Sequence, residues 1–369
     1  MAEALERRGN DVHVVTYPLA DEETPVSYRV ERVAGDDMRL NPAPGPSLRK
    51  ILLDLRLYRC VKRLLETTPF DIVHAHHYEG LIVSLCARAR ARADLGRIPI
   101  VYDSHTLLAS ELPYYYPRPV RGPAGFIGIT LDRGLPHRAD HIIVVTESMR
   151  RWLSASGGVD VDRLTLIANG VEHEHFGRTP SQERSERNSA PRIAYAGNLA
   201  EYQGIDLLLG AFKKLRSAIR GAQLLIITDS DSGRQGRRIT DLGLADSVSV
   251  VHSDFMTLPQ HLAEADVLVN PRIQCEGIPQ KLLNYMAAAR PIVSFAGSAA
   301  LLEHERTALI VPDGDTNALA DAALRVIRDP ELGIAMGQEA RRQVISQHGW
   351  DQVAARVESV YEDVLGARR

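Results

Sequence analysis

The sequence predicts an α/β protein built from two Rossmann-like, doubly wound domains in tandem, and three observations predict it. Short β-branched runs alternate with longer amphipathic segments, which is typical of a parallel sheet covered by helices. A polar, proline-flanked stretch at 178–191 interrupts this alternation, which then starts again. The length of 369 residues also favours two domains, because single hydrophobic cores rarely grow beyond ~250–300 residues.

The domain boundaries follow from that interruption. We expect a first domain over 1–172, a linker over 173–190, a second domain over 191–347 and a closing segment over 348–369. Ligands of doubly wound sheets bind beyond the carboxyl ends of the strands. The expected active site is therefore the cleft between the two domains.

Each predicted element rests on a local pattern. The segment 142–145, for example, is apolar on both faces, as a buried parallel strand should be. In the first domain the predicted strands are 12–16, 71–74, 99–102 and 141–145, with helices at 48–66, at 83–92 and after Thr146. In the second domain the predicted strands are 193–196, 224–228, 248–251, 267–269, 292–295 and 309–311.

The chain opens on a predicted helix at 3–8 that leads into a strand. A Rossmann-type domain normally has a strand and a glycine-rich turn before its first helix, and that strand lies near the middle of the sheet. We interpret the opening as a truncated or mis-assigned start. The alternative is a sheet without one central strand, which would leave backbone groups of both neighbours unpaired.

Composition describes an ordinary globular protein, with 25% charged and 44% apolar residues. A net charge of −3 gives no reason to expect nucleic acid as a partner. The three cysteines, Cys60, Cys86 and Cys275, have neither metal-ligand spacing nor a disulfide pattern, which favours a reducing compartment. The apolar runs are of strand length and the N-terminus lacks a signal-peptide core, so we expect a cytoplasmic protein.

The first candidate site is the segment CEGIPQKLLNYM at 275–286, which follows a strand and opens a helix. The free N–H groups of Gln280 and Lys281 at a helix start would bind phosphate. Glu276, just outside the helix, could accept hydrogen bonds from sugar hydroxyls, and Asn284 lies one turn beyond Gln280. The simpler interpretation is a capped helix in which Glu276 only complements the helix dipole.

The second candidate site is the turn YAGNLAEYQGID at 195–206, between a strand and a helix that begins near Gly204. A turn in this place faces the expected cleft. Asn198 and Gln203 are uncharged, so they could orient a ligand but supply no charge to a diphosphate. An ordinary strand–helix turn explains the segment equally well.

Histidines follow two strands of the first domain, which places His74, His76 and His105 at the edge of the cleft. A metal site is one interpretation, but the sequence offers no third ligand at the usual spacing. We therefore predict no metal here. Histidines in such loops more often bind ligand or close the end of the sheet.

The helix predicted over 48–66 is strongly basic, with six Lys or Arg residues and, before its last residue Glu66, Asp54 as the single acidic residue. A solvated face is the simpler interpretation. The alternative is peripheral contact with anionic lipid at the inner membrane face, or with a lipid-linked acceptor.

Together these segments resemble the family-4 glycosyltransferases of the GT-B fold over almost the whole chain. The resemblance is carried by the order and spacing of several blocks. These blocks are ERRGNDVHVVT (6–16), ADHIIVVTES (139–148), LIANGV (166–171), YMAAARPIV (285–293), LIVPDGD (309–315) and HGW (348–350).

The resemblance implies a retaining enzyme that moves a sugar from a nucleotide-diphosphate-sugar to an acceptor, without a required metal. The donor would lie on the second domain and the acceptor on the first, and the closing helix would cross back to the first domain. His105 would lie beside the reacting sugar and Glu276 would hold the donor sugar's hydroxyls, with His74 and His76 on the acceptor side. The donor-binding positions would be Gly197, Asn198, Gln203, Gly277, Ile278, Gln280, Lys281 and Asn284.

Three positions depart from the family pattern. Asn284 stands where the family has a second glutamate that binds the ribose, and Asn198 and Gln203 replace the arginine and lysine that bind the diphosphate. Asn284 can still bond to a ribose, and Lys281 could restore one charge. A catalytically degenerate, nucleotide-sugar-binding partner subunit is therefore the alternative, and another GT-B activity such as an epimerase fits the blocks less well. The acceptor, whether glycan, glycolipid or small metabolite, is left open.

Overall fold

A computed structural model describes residues 1–18, 26–33, 48–90, 98–176, 190–230, 232–275 and 277–367. The chain divides into two compact units. The first unit comprises Met1–Ala168 with Trp350–Arg369, and the second comprises Asn169–Gly349. Residues 169–172, which we expected in the first domain, therefore belong to the second unit. Most of the expected linker falls on 177–189, outside the described residues.

The first unit carries two parallel sheets among its described residues, in the orders β1-β2 and β3-β4-β5-β6. Its strands are β1 (His13–Thr16), β2 (Arg29–Arg32), β3 (Val73–His76), β4 (Ile100–Ser104), β5 (His141–Val144) and β6 (Leu164–Leu166). Its helices are α1 (Ala2–Arg7), α2 (Leu48–Thr67), α3 (His77–Arg90), α4 (Leu108–Glu111), α5 (Arg118–Gly134), α6 (Glu147–Ala155) and, at the end of the chain, α13 (Trp350–Gly366).

Strands β4 and β5 are buried along their whole length, whereas β1 is half-buried and β3 is buried only at Ala75. Strand β5 is apolar except for His141, as expected of a buried parallel strand, whereas β4 also buries the polar residues Asp103 and Ser104. Strand β3 lies two residues later than the predicted 71–74, so that His76 pairs directly with Asp103 of β4. This register brings two candidate histidines beside a carboxylate.

Helix α13 packs on the first unit through one apolar stripe. Its buried residues recur at the 3.6-residue helical period and meet α1 and the sheet in one cluster. The cluster contains Ala4, Leu5, Val101, Ile143, Ile167, Val353, Ala354, Val357, Val360 and Val364. The ion pairs Arg7–Asp351 and Arg8–Glu358 flank the stripe on its exposed side.

The second unit has a parallel sheet in the order β12-β11-β10-β7-β8-β9 among its described residues. Its strands are β7 (Arg192–Ala196), β8 (Gln223–Thr228), β9 (Val248–His252), β10 (Val267–Asn270), β11 (Ile292–Phe295) and β12 (Leu309–Val311). Its helices are α7 (Ile205–Ala218), α8 (Gly233–Asp241), α9 (Leu258–Ala263), α10 (Gln280–Ala287), α11 (Thr316–Arg328) and α12 (Pro330–His348). All six strand predictions for this unit are confirmed to within one residue at each end.

None of the described helices is both long enough and apolar enough to cross a membrane. The three cysteines are free thiols, and Cys60 is buried. The order of β10 next to β7 places the ends of these two strands side by side, and both candidate segments of the second unit begin there.

Candidate active site

The turn after β7 is tied to helix α10 by a buried tyrosine. The N–H of Ala196 donates to Oη of Tyr285, 2.7 Å away, and Tyr285 is fully buried. Gly197 follows with a φ of +143°. A Cβ there would lie 2.9 Å from Oη of Tyr195 and 3.2 Å from Nζ of Lys281. The backbone of this turn can pass so closely over the two side chains because residue 197 is glycine.

Lys281 connects the two segments that the sequence singled out in this unit. Its Nζ donates to Oε1 of Gln203 at 2.5 Å and to Oη of Tyr195 at 3.2 Å. The ammonium also lies 4.4 Å from the centroid of the Tyr195 ring. Burial lowers the pKa of Lys281 to about 7, and the nearby charge of Arg272 acts in the same direction. Because this pKa is close to neutral pH, an anion beside Lys281 would favour the charged form of the side chain.

The far end of the same turn packs on the segment after β10. Gly204 has a φ of +74°, and a Cβ there would lie 2.1 Å from the carbonyl oxygen of Pro271. The guanidinium of Arg272 lies 4.8 Å from the centroid of the Tyr202 ring. Asn198, whose side chain is exposed, donates from Nδ2 to Oη of Tyr202 at 3.1 Å. Arg272 could not be predicted from the sequence as a site residue, because the packing of Gly204 on Pro271 brings it to this turn.

Helix α10 starts at Gln280 after Pro279, and no described side chain caps it. The Gln280 side chain is committed elsewhere, since its Nε2 donates to the carbonyl oxygen of Gly170 at 3.0 Å. Only its backbone N–H therefore fits the expected donor-binding role.

The structure describes three of the four other candidate residues in this segment. Gly277 is half-buried and Ile278 is buried beside the helix start. Asn284 is only 7% exposed, and among the described residues no group bonds to its Oδ1. Glu276 lies outside the described residues.

In the first unit, the predicted histidines converge on a carboxylate that the sequence analysis did not assign. Oδ2 of Asp103 lies 3.4 Å from Nε2 of His74, 3.4 Å from Nδ1 of His76 and 3.5 Å from Nε2 of His105. His76 Nδ1 and His105 Nε2 are 3.1 Å apart. The ring of His77, which has a φ of 57°, lies 4.6 Å from the ring of His105. We call Asp103, His74, His76 and His105 the histidine cluster.

The histidine cluster surrounds a buried carboxylate with imidazoles. Burial alone would raise the pKa of Asp103, but the bond to His74 and the neighbouring imidazoles outweigh burial and lower the pKa to about 2. Burial and the adjacent His74 lower the pKa of His76 to about 3. Oη of Tyr361, a residue of α13, lies 2.6 Å from Nδ1 of His74. The sequence pattern does not mark Tyr361 as a site residue. At neutral pH the cluster thus holds an ionised carboxylate beside the neutral imidazole of His76.

The ligand atoms of His74, His76 and Asp103 all lie within 4.8 Å of one another, so these groups could hold a metal ion. The expectation that no third ligand is present is therefore wrong, because Asp103 supplies one. The third ligand lies on the neighbouring strand and is therefore distant in sequence. The expected absence of a required metal stays a prediction.

Comparisons with known proteins agree on one family. The profiles of Glycosyltransferase Family 4 and Glycosyl transferases group 1 match residues 1–175 and 190–329. The chain is 27% identical over 233 residues to a GDP-mannose-dependent alpha-(1-6)-phosphatidylinositol monomannoside mannosyltransferase of Mycobacterium tuberculosis, a match that spans 58% of this chain and only 60% of that protein.

Two further similarities extend over nearly the full length. The chain is 24% identical over 389 aligned positions to a D-inositol 3-phosphate glycosyltransferase of Corynebacterium glutamicum, covering 99% of this chain and 90% of that protein. The solved sucrose-phosphate synthase of Thermosynechococcus elongatus matches with a TM-score of 0.79 at 20% identity, covering 99% of this chain and 92% of that one. At this identity the structural match supports the fold alone.

Proposed function

The chain belongs to glycosyltransferase family 4 and has the GT-B fold, and on that premise we propose that it is a retaining glycosyltransferase that uses a nucleotide-diphosphate-sugar. One observation carries the proposal. The ammonium of Lys281 lies directly beneath the Gly197 turn, where the family resemblance places the donor diphosphate. A half-buried cation under a glycine turn is suited to an anion that approaches the backbone closely.

The donor diphosphate would bind at the start of α10. The backbone N–H groups of Gln280 and Lys281 are the first two of the helix and carry its positive dipole end. Asn198 and Gln203 would orient the donor from the turn after β7, and Gly277 and Ile278 would line the approach to the helix. Fixed dipoles and a cation at this place stabilise the negative charge that develops on the leaving diphosphate.

Asn284 would bind the ribose of the donor. Its buried Oδ1 has no partner among the described residues, and leaving such an acceptor unpaired costs about 1–3 kcal/mol. A ribose hydroxyl that donates to Oδ1 would remove this penalty. Glu276 would hold the hydroxyls of the donor sugar, a role that rests on the family resemblance alone.

On the first unit, His105 would stabilise the sugar ring as positive charge develops on it. The acceptor oxygen forms a bond to the anomeric carbon, the bond from that carbon to the diphosphate breaks, and the acceptor's proton passes to the departing phosphate oxygen on the same face. This route requires neither a separate base nor a metal. Asp103 and His76 would hold the imidazole of His105 in place through the 3.5 Å and 3.1 Å contacts.

The acceptor would bind on the first unit beside His74 and His76. His76 is the better placed of the two, because its side chain is 44% exposed whereas that of His74 is 10% exposed and contacts Tyr361. Two relatives carry inositol-based acceptors in their names, which makes a polyol or its lipid a reasonable first acceptor class.

Helix α2 favours a lipid-linked acceptor. Three large apolar side chains, Ile51, Leu52 and Leu55, are exposed next to the basic residues of this helix, while the opposite face is buried. A helix with exposed apolar groups and a basic face is typical of peripheral binding to anionic membranes. We propose that α2 brings the enzyme to the inner face of the membrane.

The product stereochemistry tests this function. Purified protein is incubated with GDP-mannose or UDP-glucose and with inositol or phosphatidylinositol vesicles, and the anomeric configuration of the product is read by proton NMR. We expect retention of the donor's configuration, with no transfer by His105→Ala and normal transfer by the exposed control His252→Ala. An inverted product would refute the mechanism. Donor binding without transfer to any acceptor would favour the degenerate partner subunit.

A further inference from the structure

Two cations of the second unit, Lys281 and Arg272, contact adjacent residues of the turn after β7, Gln203 and Tyr202 respectively. The charge of Arg272 contributes to the lowered pKa of Lys281, second only to burial. Arg272 is half-buried on the segment after β10, and its Nε donates to the carbonyl oxygen of Gln274 at 2.7 Å. Within the described part of the chain, neither cation forms a salt bridge. Like charges held together in this way destabilise a site unless an anion joins them.

Lys281 contacts one of the two places where the family resemblance expects a cation and this chain has none, and Arg272 approaches the other through Tyr202. Nζ of Lys281 lies 2.5 Å from Oε1 of Gln203. The guanidinium of Arg272 stacks on the ring of Tyr202, whose Oη accepts a bond from Asn198. The positive charges absent from the turn after β7 are therefore present beside that turn.

We propose that Arg272 and Lys281 together bind the diphosphate of the nucleotide-sugar donor, and that the β10–α10 segment thereby supplies the two charges missing at Asn198 and Gln203. The inference rests on the proposed function. A guanidinium can bind two phosphate oxygens side by side, whereas an ammonium acts as a point charge, so the two groups complement each other.

The backbone that carries Arg272 is held firmly, as a binding site requires. The carbonyl oxygen of Pro271 lies against Gly204, where even a methyl group would collide with it. The carbonyl oxygen of Arg272 accepts a bond from Oγ of Ser298, which is itself buried. Tyr202 supports the side chain from one face. Little conformational freedom remains to be lost when an anion binds.

Isothermal titration calorimetry of the full chain with GDP-mannose, UDP-glucose, GDP and UDP tests the pair. We expect Arg272→Gln and Lys281→Met each to weaken binding of the preferred donor roughly tenfold to a hundredfold, as the loss of a charged hydrogen bond does. The matched controls Arg328→Gln and Lys213→Met, both at exposed positions of the same unit, should bind like wild type.

A double variant that moves the positive charge distinguishes loss of the charge from misfolding of a single variant. Lys281→Gln combined with Gln203→Lys keeps one cation at the same contact, and we expect it to bind more tightly than Lys281→Gln alone. Wild-type binding together with variants that bind within twofold of it would overturn the inference and leave the proposed function intact. A folded wild-type protein that binds none of the four compounds would overturn both.

Discussion

The cation pair of the second unit and the histidine cluster of the first unit differ in the charges that they bring together. Arg272 and Lys281 are like charges held together without a described carboxylate. The histidine cluster surrounds the carboxylate of Asp103 with imidazoles, and the pKa values of Asp103 and His76 keep the first ionised and the second neutral. The described residues of the first region therefore group positive charges, whereas those of the second surround a negative charge with imidazoles.

The difference indicates different roles. An uncompensated pair of cations gains stability when an anion arrives, so it is suited to binding. In the histidine cluster, the short contacts to Asp103 hold each ring in one orientation, which suits catalysis. Substitutions in the cation pair should therefore change donor affinity, and substitutions in the cluster should change turnover.

His105→Ala should have the largest effect. If His105 stabilises the reacting sugar, kcat should fall about 10²–10³-fold while the donor Kd stays within about threefold of wild type. Steady-state kinetics and calorimetry on the same preparation separate the two quantities. An unchanged kcat, with His252→Ala as the control, would remove His105 from the mechanism.

Asp103→Asn should have the next largest effect, about tenfold or more on kcat, because the amide keeps the size of the carboxylate but loses the charge that orients His105. Donor affinity should not change. The measurement is the pH profile of kcat for this variant beside wild type. A loss confined to donor affinity would contradict a positioning role for Asp103.

Donor affinity should depend on pH through Lys281. The pKa of Lys281 in the free protein is about 7, and a bound diphosphate would raise it. Below pH 7 the lysine is already charged and affinity is constant; above pH 7 binding must take up a proton, and affinity falls by up to about tenfold per pH unit. Tyr195, Arg272 and Cys275 face the ammonium, so the full profile also reports their charges.

Titration with a nucleotide-sugar, whose diphosphate does not ionise near neutral pH, isolates this effect. Lys281→Met should bind more weakly and without the pH dependence. A wild-type profile that is flat from pH 6 to 9 would contradict the assignment.

The smallest effect is expected from metal removal. Transfer that needs no metal should proceed in EDTA at more than about half of the untreated rate, whereas a required ion at a catalytic site contributes several kcal/mol. The contrary result is that EDTA abolishes transfer, that one divalent ion restores it, and that His76→Ala prevents the restoration. This would show that His74, His76 and Asp103 hold a metal that the reaction needs.

The architecture could be predicted from the sequence because the buried parallel strands consist mainly of apolar residues in short runs. The strand over Ile292–Phe295 was predicted without error. Strand β3 was predicted two residues early because Asp71, Ile72 and Val73 look like a strand start, while pairing with β4 begins only at Val73. Register depends on the neighbouring strand, which a local pattern does not contain.

The site could be predicted only in part, for a related reason. His74, His76, His105, Gly197 and Lys281 stand at strand or helix ends that the sequence marks. The roles of Arg272 and Tyr361 depend on contacts between residues that are distant in sequence, such as the 2.6 Å contact of Tyr361 with His74. At Gln280 the sequence predicts a role for the backbone N–H only, and the bond of the side chain to Gly170 leaves that prediction open.

The most direct test of the central claim is calorimetric titration of wild type and Glu276→Ala with a panel of nucleotide-sugars. The account predicts saturable binding of one donor by wild type and at least a tenfold weaker Kd for Glu276→Ala, with both proteins unfolding at similar temperatures. No binding of any nucleotide-sugar by a well-folded wild-type protein would contradict it, and would favour a degenerate homologue that acts only with a partner.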